Sequence, residues 1–586
     1  MASKPGAVWR IAAVSLLLNS FAIPTGFVLD DSFHALALGD GSGHLGTRRA
    51  PWDAFAFAKD PRTVKSMIDG GIYPWWSDLQ ARFAFLRPLT SLTLFVDHSL
   101  WPDWPAAMHV HSLLWYAVLL LSVGLVYRRY CESPAIAALA FAVYALDDAR
   151  AATAGWIASR GALIALSGGF VSLLAHHRWR RCGQQRWLWA ALFALAMGLA
   201  GAEAAVQALG YLVAYALLLD DQSLARRVLS LLPYGVLIVA WRVVYLVLGY
   251  GAARTDLYID PASNPLYFLR QAAQRMLALL TAQFAGIPND LVDVLKYAAP
   301  DFAWVYLPVA VLAMGVLAWL LSGLLRADAK ARFWALGSVL STLPVCAVMP
   351  ADRLLSATAL GGSALTAHLL MAVVEGRHGY RGPLTRAATI ALAGMSLVIA
   401  PIMLPLRAYS HVNYDRYLEP ADASIPSGAE VTGQTVVILN PPNDEYGIYQ
   451  PLLRAARGGT MPKRIRWLAT GESALDVTRV DEMSLRIRPV RGFLPEGSIW
   501  TLRSRAHPSA VGDRMELPDV AFVVTEVTAD GRPAEVLARF DLPLDSDAFV
   551  WLQWGGPEGY VPFELPGPGR RVRVPEIDPR SVFEAL

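Results

Sequence analysis

Apolar runs of about membrane-span length recur through most of this chain, and arginines punctuate every second connection between them. That alternation restricts the fold more than any other feature. A run of roughly 20 apolar residues crosses the hydrocarbon core as a helix. Such runs lie at residues 8–29, 108–127, 135–146, 162–175, 187–201, 204–219, 228–250, 302–325, 333–349, 354–374 and 387–406. They predict about eleven transmembrane helices. Of 586 residues, 55% are hydrophobic and 17% charged, which excludes an ordinary soluble enzyme. A net charge of +3, spread over short loops, gives no footprint for nucleic acid. The three cysteines, Cys131, Cys182 and Cys346, form no CxxC pair, so neither a disulfide framework nor a cysteine metal site is expected.

Orientation follows from the loops. Arg128-Arg129, Arg178 with Arg180, Arg181 and Arg186, Arg226-Arg227, Arg326 with Lys330 and Arg332, and Arg377 with Arg381 and Arg386 occupy alternate connections, which places those connections in the cytoplasm. Lys4 and Arg10 with an apolar stretch also fit a secretory signal peptide, but no small-x-small cleavage site follows and the run is long enough to span, so it reads as an uncleaved signal anchor. The N-terminus is then cytoplasmic, and residues 30–105 form a large first outer loop. Trp75-Trp76, Trp101 and Trp104 in that loop are residue types that favour the water–lipid interface. Residues 267–284 repeat apolar side chains at helical spacing and read as an interfacial amphipathic helix. The transmembrane domain is expected to span 1–407, and 408–586 to form an extracytoplasmic, β-rich α+β domain. Strands are expected at 435–439, 464–468, 484–490, 499–503, 520–527 and 535–540, and a helix at 446–457.

The first outward turn ends in two adjacent carboxylates, Asp30-Asp31. Ionisable groups beside hydrocarbon are costly, so such a pair marks a candidate site, unless Asp31 or Ser32 only caps the helix that follows. Asp147-Asp148 with Arg150, Arg160, Glu203 and Asp352-Arg353 also fall at outer helix ends. Arg242 lies well inside an apolar run, where a guanidinium needs a partner, a wet cavity or a route to the interface. His109 and His111 are two residues apart, so at most one points into a site.

From Phe85-Leu86-Arg87-Pro88-Leu89-Thr90, through Asp97, to His109-Val110-His111, the chain resembles GT-C membrane glycosyltransferases. The likeness is to the TMTC-type and related bacterial polyprenyl-phosphate-sugar, mannosyltransferase-like transferases. Further echoes are residues 155–160, Glu203, Trp241-Arg242 and residues 352–355, so the resemblance runs in order from about residue 8 to 375. There are departures. Asp147-Asp148-Ala149-Arg150-Ala151-Ala152 stands where the family usually has His-Pro-x-His-x-Glu. Gly201-Ala202-Glu203 stands for Ser-Lys-Glu, and TPR repeats are replaced by the C-terminal domain.

The resemblance implies a GT-C-like fold and transfer of a sugar from a polyprenyl-phosphate donor to an extracytoplasmic glycan, protein or lipid acceptor, at the bacterial inner membrane. Asp30 or Asp31 would act as general base or hold a divalent cation, Mg²⁺ or Mn²⁺. Arg87, Arg160, Arg242 and Arg353 would bind the donor phosphate. His109, Asp97, Glu203, Asp147 and Asp148 would line the substrate site. Two other readings stand beside this one, a transporter or flippase of lipid-linked sugars and a non-catalytic membrane scaffold.

Overall fold

The computed structural model describes residues 6–39, 45–298, 303–377, 380, 382–495 and 502–583. Among them, seven helices are long and apolar enough to cross a membrane: Gly6–Thr25, Pro105–Tyr130, Ile157–Cys182, Leu224–Val247, Trp304–Ala327, Asp352–Val374 and Pro383–Tyr409. The chain is a polytopic α-helical membrane protein with a β-rich C-terminal part. The other expected spans are helices that fall short of full length. Two are the apolar helices Pro134–Ala145 and Glu203–Leu218. The others are Gln185–Gly201 and Ala329–Thr342, of 17 and 14 residues. At about 1.5 Å per residue these do not cover a ~30 Å core on their own. Helix starts are written locally. Asp60, Ser133 and Asn264 each accept a backbone N–H with their side chains, and each is followed by proline at the first helical position.

The chain divides into two compact units. One holds the segment ending at Gly26, Leu86–Leu248 and Asp260–His411; the other holds Phe27–Phe85, Gly249–Ile259 and Val412–Leu586. In the helical unit, helix Arg160–Cys182 packs along helix Gln185–Gly201. Small residues permit the approach, since a Cβ at Gly168 or Gly198 would sit under 3 Å from facing backbone.

Among the described residues, the second unit carries three sheets. A three-stranded sheet joins Ala56–Ala58, Arg82–Ala84 and Gly251–Ala253. In a four-stranded sheet, Thr435–Ile438 pairs in parallel with both Arg464–Trp467 and Phe549–Trp554. Helix Asp444–Ala456 makes the crossover between the first two. A six-stranded sheet is antiparallel around Pro533–Phe540, which pairs with Ser484–Pro489 and Val520–Val527. The expected strand at 499–503 lies largely outside the described residues. Trp75 and Trp76 do not sit at a lipid interface. Both are buried, Trp75 stacked on Phe522 at 5.0 Å and Trp76 edge-on to Trp467 at 5.1 Å. Their large apolar surface fills a water-excluded core built jointly by the first loop and the C-terminal strands.

Candidate functional site

Among the described residues, most sequence candidates of the helical unit fall into three polar clusters, with His109, Asp147 and Arg353 outside them. The first cluster is partly open. Arg87 precedes helix Pro88–Leu100, and its Nε donates to Glu203 Oε2 at 2.9 Å. Glu203 starts a short 3₁₀ turn, Glu203–Gln207, between two apolar helices. Its other oxygen accepts the Tyr245 hydroxyl at 3.2 Å. Arg242, one turn before Tyr245 on helix Leu224–Val247, lies over the Tyr245 ring at 5.3 Å and donates to Asp260 Oδ2 at 2.6 Å. The side chains of Arg87, Glu203, Arg242 and Asp260 retain 22, 28, 31 and 18% exposure. Each arginine is therefore oriented by a carboxylate and still reachable.

The second cluster is closed at its Arg160–Asp97 pair, while His111 beside it keeps 26% exposure. Arg160 Nη1 lies 2.5 Å from Asp97 Oδ2, with both side chains at 0% exposure. Arg160 also donates to Ser112 Oγ at 3.0 Å and to the Met108 carbonyl at 2.9 Å. His111 Nδ1 lies 2.6 Å from Asp97 Oδ1. His109 faces elsewhere, its Nε2 2.9 Å from the Gly26 carbonyl oxygen. The two histidines thus take different sides of the helix, as their spacing requires.

The third cluster gathers Asp148, Asp290 and Asp352 around Arg407, at 2.9, 2.7 and 2.8 Å. Asp352 also accepts the Asn289 backbone N–H at 2.8 Å. Asp147 lies 3.8 Å from the buried Arg150, and burial together with the Asp148 charge raises its carboxyl above the usual range. Arg353 points to the Trp156 ring at 5.0 Å and has no carboxylate partner among the described residues.

Asp30 and Asp31 belong to the second unit. They open helix Asp30–Leu38 and differ in employment. Asp31 is buried and accepts the Val28 backbone N–H at 3.0 Å, closing the turn at its own helix start. Leu29 between them has φ 45°, a conformation that costs a non-glycine residue about 1–3 kcal/mol and concentrates at functional turns. Asp30 is partly exposed and accepts the Tyr449 hydroxyl at 2.7 Å. Burial and the Asp30 charge hold that phenol protonated, so it remains a donor. Glu445 stands one helical turn before Tyr449. Burial and the neighbouring Asp30 push its carboxyl up to about 7.

Sequence reading missed Tyr245, Asp260, Asp290, Arg407, Glu445 and Tyr449. Arg407 had a signal, a guanidinium at the end of an apolar run that must be neutralised. Glu445 and Tyr449 gave none, because only the fold brings helix Asp444–Ala456 to Asp30.

No protein-family model matches the chain, and no curated protein matches it in sequence. Among solved structures it is similar to the Archaeoglobus fulgidus oligosaccharyltransferase tethered to an acceptor peptide containing the NVT sequon. That match has 12% identity and a TM-score of 0.39, and covers 80% of this chain and 64% of that one. The apo form of the same protein matches at 10% identity and a TM-score of 0.40, over 80% of this chain and 65% of that one. ArnT from Cupriavidus metallidurans bound to undecaprenyl phosphate matches at 13% identity and a TM-score of 0.33, over 79% of this chain and 90% of that one.

Proposed function

We propose that this protein is a GT-C-type glycosyltransferase that moves a sugar from a polyprenyl-phosphate donor to an extracytoplasmic acceptor. The observation that carries the reading is the open cluster in which Glu203 and Asp260 orient Arg87 and Arg242 without burying them. Held guanidiniums of this kind bind a phosphate oxygen through charge-assisted bonds and stabilise the charge that grows on the leaving phosphate. Arg353, stacked on Trp156, is a third candidate for the same phosphate. Arg160 is assigned instead to holding Asp97 and the helices on either side of it. Glu203 is assigned to orienting Arg87.

Asp30 is the general base in this reading. It is partly exposed, and the acceptor hydroxyl loses its proton to the Asp30 carboxylate as it attacks the anomeric carbon. Asp31 shapes the turn that presents Asp30. Where a divalent cation, Mg²⁺ or Mn²⁺, takes part, Asp30 and Glu445 are the neighbouring carboxyls suited to hold it, because the Asp31 carboxylate is already engaged by its own backbone. Such a cation would supply electrostatic stabilisation of the leaving phosphate. The protein would act at the bacterial inner membrane, with its second unit on the extracytoplasmic side.

The test is sugar transfer from a panel of radiolabelled polyprenyl-phosphate sugars, by membranes holding wild type, Asp30→Asn, Asp31→Asn or Arg242→Ala at matched expression. Transfer by wild type that is abolished in Asp30→Asn and Arg242→Ala is the expected result. Absence of transfer with every donor, together with unchanged cellular behaviour of all three variants, would favour a non-catalytic scaffold.

A further inference from the structure

The arginine-flanked helix ends hold a second group of ionisable side chains. Glu132 lies just past helix Pro105–Tyr130, beyond Arg128-Arg129. Asp328 joins helix Ala303–Ala327 to helix Ala329–Thr342 and caps the latter. His368 lies toward the end of helix Ser356–Val374. One ligand atom from each of Glu132, Asp328 and His368 falls within 4.8 Å of the others.

The imidazole supplies an independent observation. His368 is 3% exposed, and its Nδ1 lies 2.7 Å from the Ala364 carbonyl oxygen, which only accepts. Nδ1 therefore carries the proton, and Nε2 keeps its lone pair. Nε2 is buried and has no hydrogen-bond partner among the described residues. A backbone carbonyl fixing one ring nitrogen while the other is left as a bare donor is the arrangement that orients a metal-bound histidine. Asp328 is equally fixed, since its two oxygens accept the Lys330 and Ala331 backbone N–H groups at 2.8 and 3.2 Å. Each of those oxygens has a second lone pair to give. Among the described residues, cations near the group include Lys330, whose charge acts on His368, and Arg377, 3.7 Å from Glu132 and also paired with Glu375.

We propose that Glu132, Asp328 and His368 bind a divalent transition metal ion of the zinc or manganese kind. Two carboxylate oxygens and one imidazole nitrogen favour such ions over magnesium or calcium, which prefer oxygen alone. Water would complete the shell. The three ligands come from segments far apart in the chain, so the ion would tie together three helix ends at the arginine-rich side of the helical unit. The proposal does not depend on the transferase reading.

The experiment uses the full-length protein in detergent, stripped with a chelator and titrated with Zn²⁺, Mn²⁺ and, as a spectroscopic probe, Co²⁺. Wild type is expected to bind one equivalent, with visible Co²⁺ absorption and a raised unfolding temperature. His368→Gln and Glu132→Gln should each weaken binding about tenfold or more, and Asp30→Asn should leave this site's affinity unchanged. Should His368→Gln fail to fold, Glu132→Gln, at an exposed position, decides alone. No binding by wild type, or equal affinity in the ligand variants, would overturn the proposal.

Discussion

Two arginine–carboxylate arrangements in the helical unit use the same chemical groups under opposite conditions. Arg160 and Asp97 are sealed at 0% exposure, whereas Arg87–Glu203 and Arg242–Asp260 keep between 18 and 31%. A sealed pair offsets its own desolvation and has nothing left for a ligand, so its role is to hold helices in one arrangement. An open pair contributes little to stability but keeps a positioned cation available. Residue type alone does not separate structure from function here. Solvent access is what differs between the two arrangements.

The contrast is broken most readily at the sealed pair. Asp97→Ala, which strands a buried guanidinium, should cost about 3–5 kcal/mol, read as a large fall in unfolding temperature in detergent. The double change Asp97→Leu with Arg160→Met should recover much of that loss, because two apolar groups replace two charges. Failure of the double variant to recover would mean that the pair does more than support packing.

The open cluster should respond in the opposite sense. Arg87→Ala and Arg242→Ala are each expected to reduce sugar transfer about 10²–10³-fold, while unfolding temperatures change by the equivalent of no more than about 1 kcal/mol. A stability collapse in either variant would move this cluster into the structural class.

A pH series sharpens the comparison in the second unit, where Glu445 faces Asp30. The Glu445 carboxyl rises from its ordinary 4.5 to about 7 in the folded protein. The folded state therefore holds a proton that the unfolded chain releases, and stability is lost as pH climbs from 4.5 through about 7. Glu445→Gln removes that loss. Its advantage over wild type should grow across this window and level off above it, at on the order of 1 kcal/mol after allowance for partial exposure. Unfolding curves of both proteins between pH 4.5 and 8.5 provide the check.

The smallest effect is expected at Asp148→Asn, about 0.5 kcal/mol by the same unfolding measurement, because Arg407 retains Asp290 and Asp352.

Much of the architecture was legible because it is written in period and punctuation. Alternation at 520–527 and 484–490, and the apolar run at 435–439, mark strands that form within a residue or so of the expected ends. The helical layer followed from the apolar runs and their arginine-rich connections. What stayed hidden depends on association across long stretches of chain. Trp75-Trp76 carries the same local signal whether it faces lipid headgroups or a protein core, and only its pairing with Trp467, Phe493 and Phe522 decides. Likewise Arg160 and Arg242 are both arginines in apolar surroundings, and sequence has no measure of how far each is sealed. The division of labour between Asp30 and Asp31 needed the backbone itself, since it follows from the turn at Leu29.

The discontinuity of the second unit has a consequence for biosynthesis. Its first piece ends at Phe85, and its last begins at Val412. At a synthesis rate of about 5–20 residues per second, the first loop waits on the order of half a minute before the strands that complete its core exist. Through that interval Trp75, Trp76 and the aromatic residues around them have no finished core to enter. This nascent stage is where a membrane chaperone would have most to protect, and where slowed elongation would do the most harm.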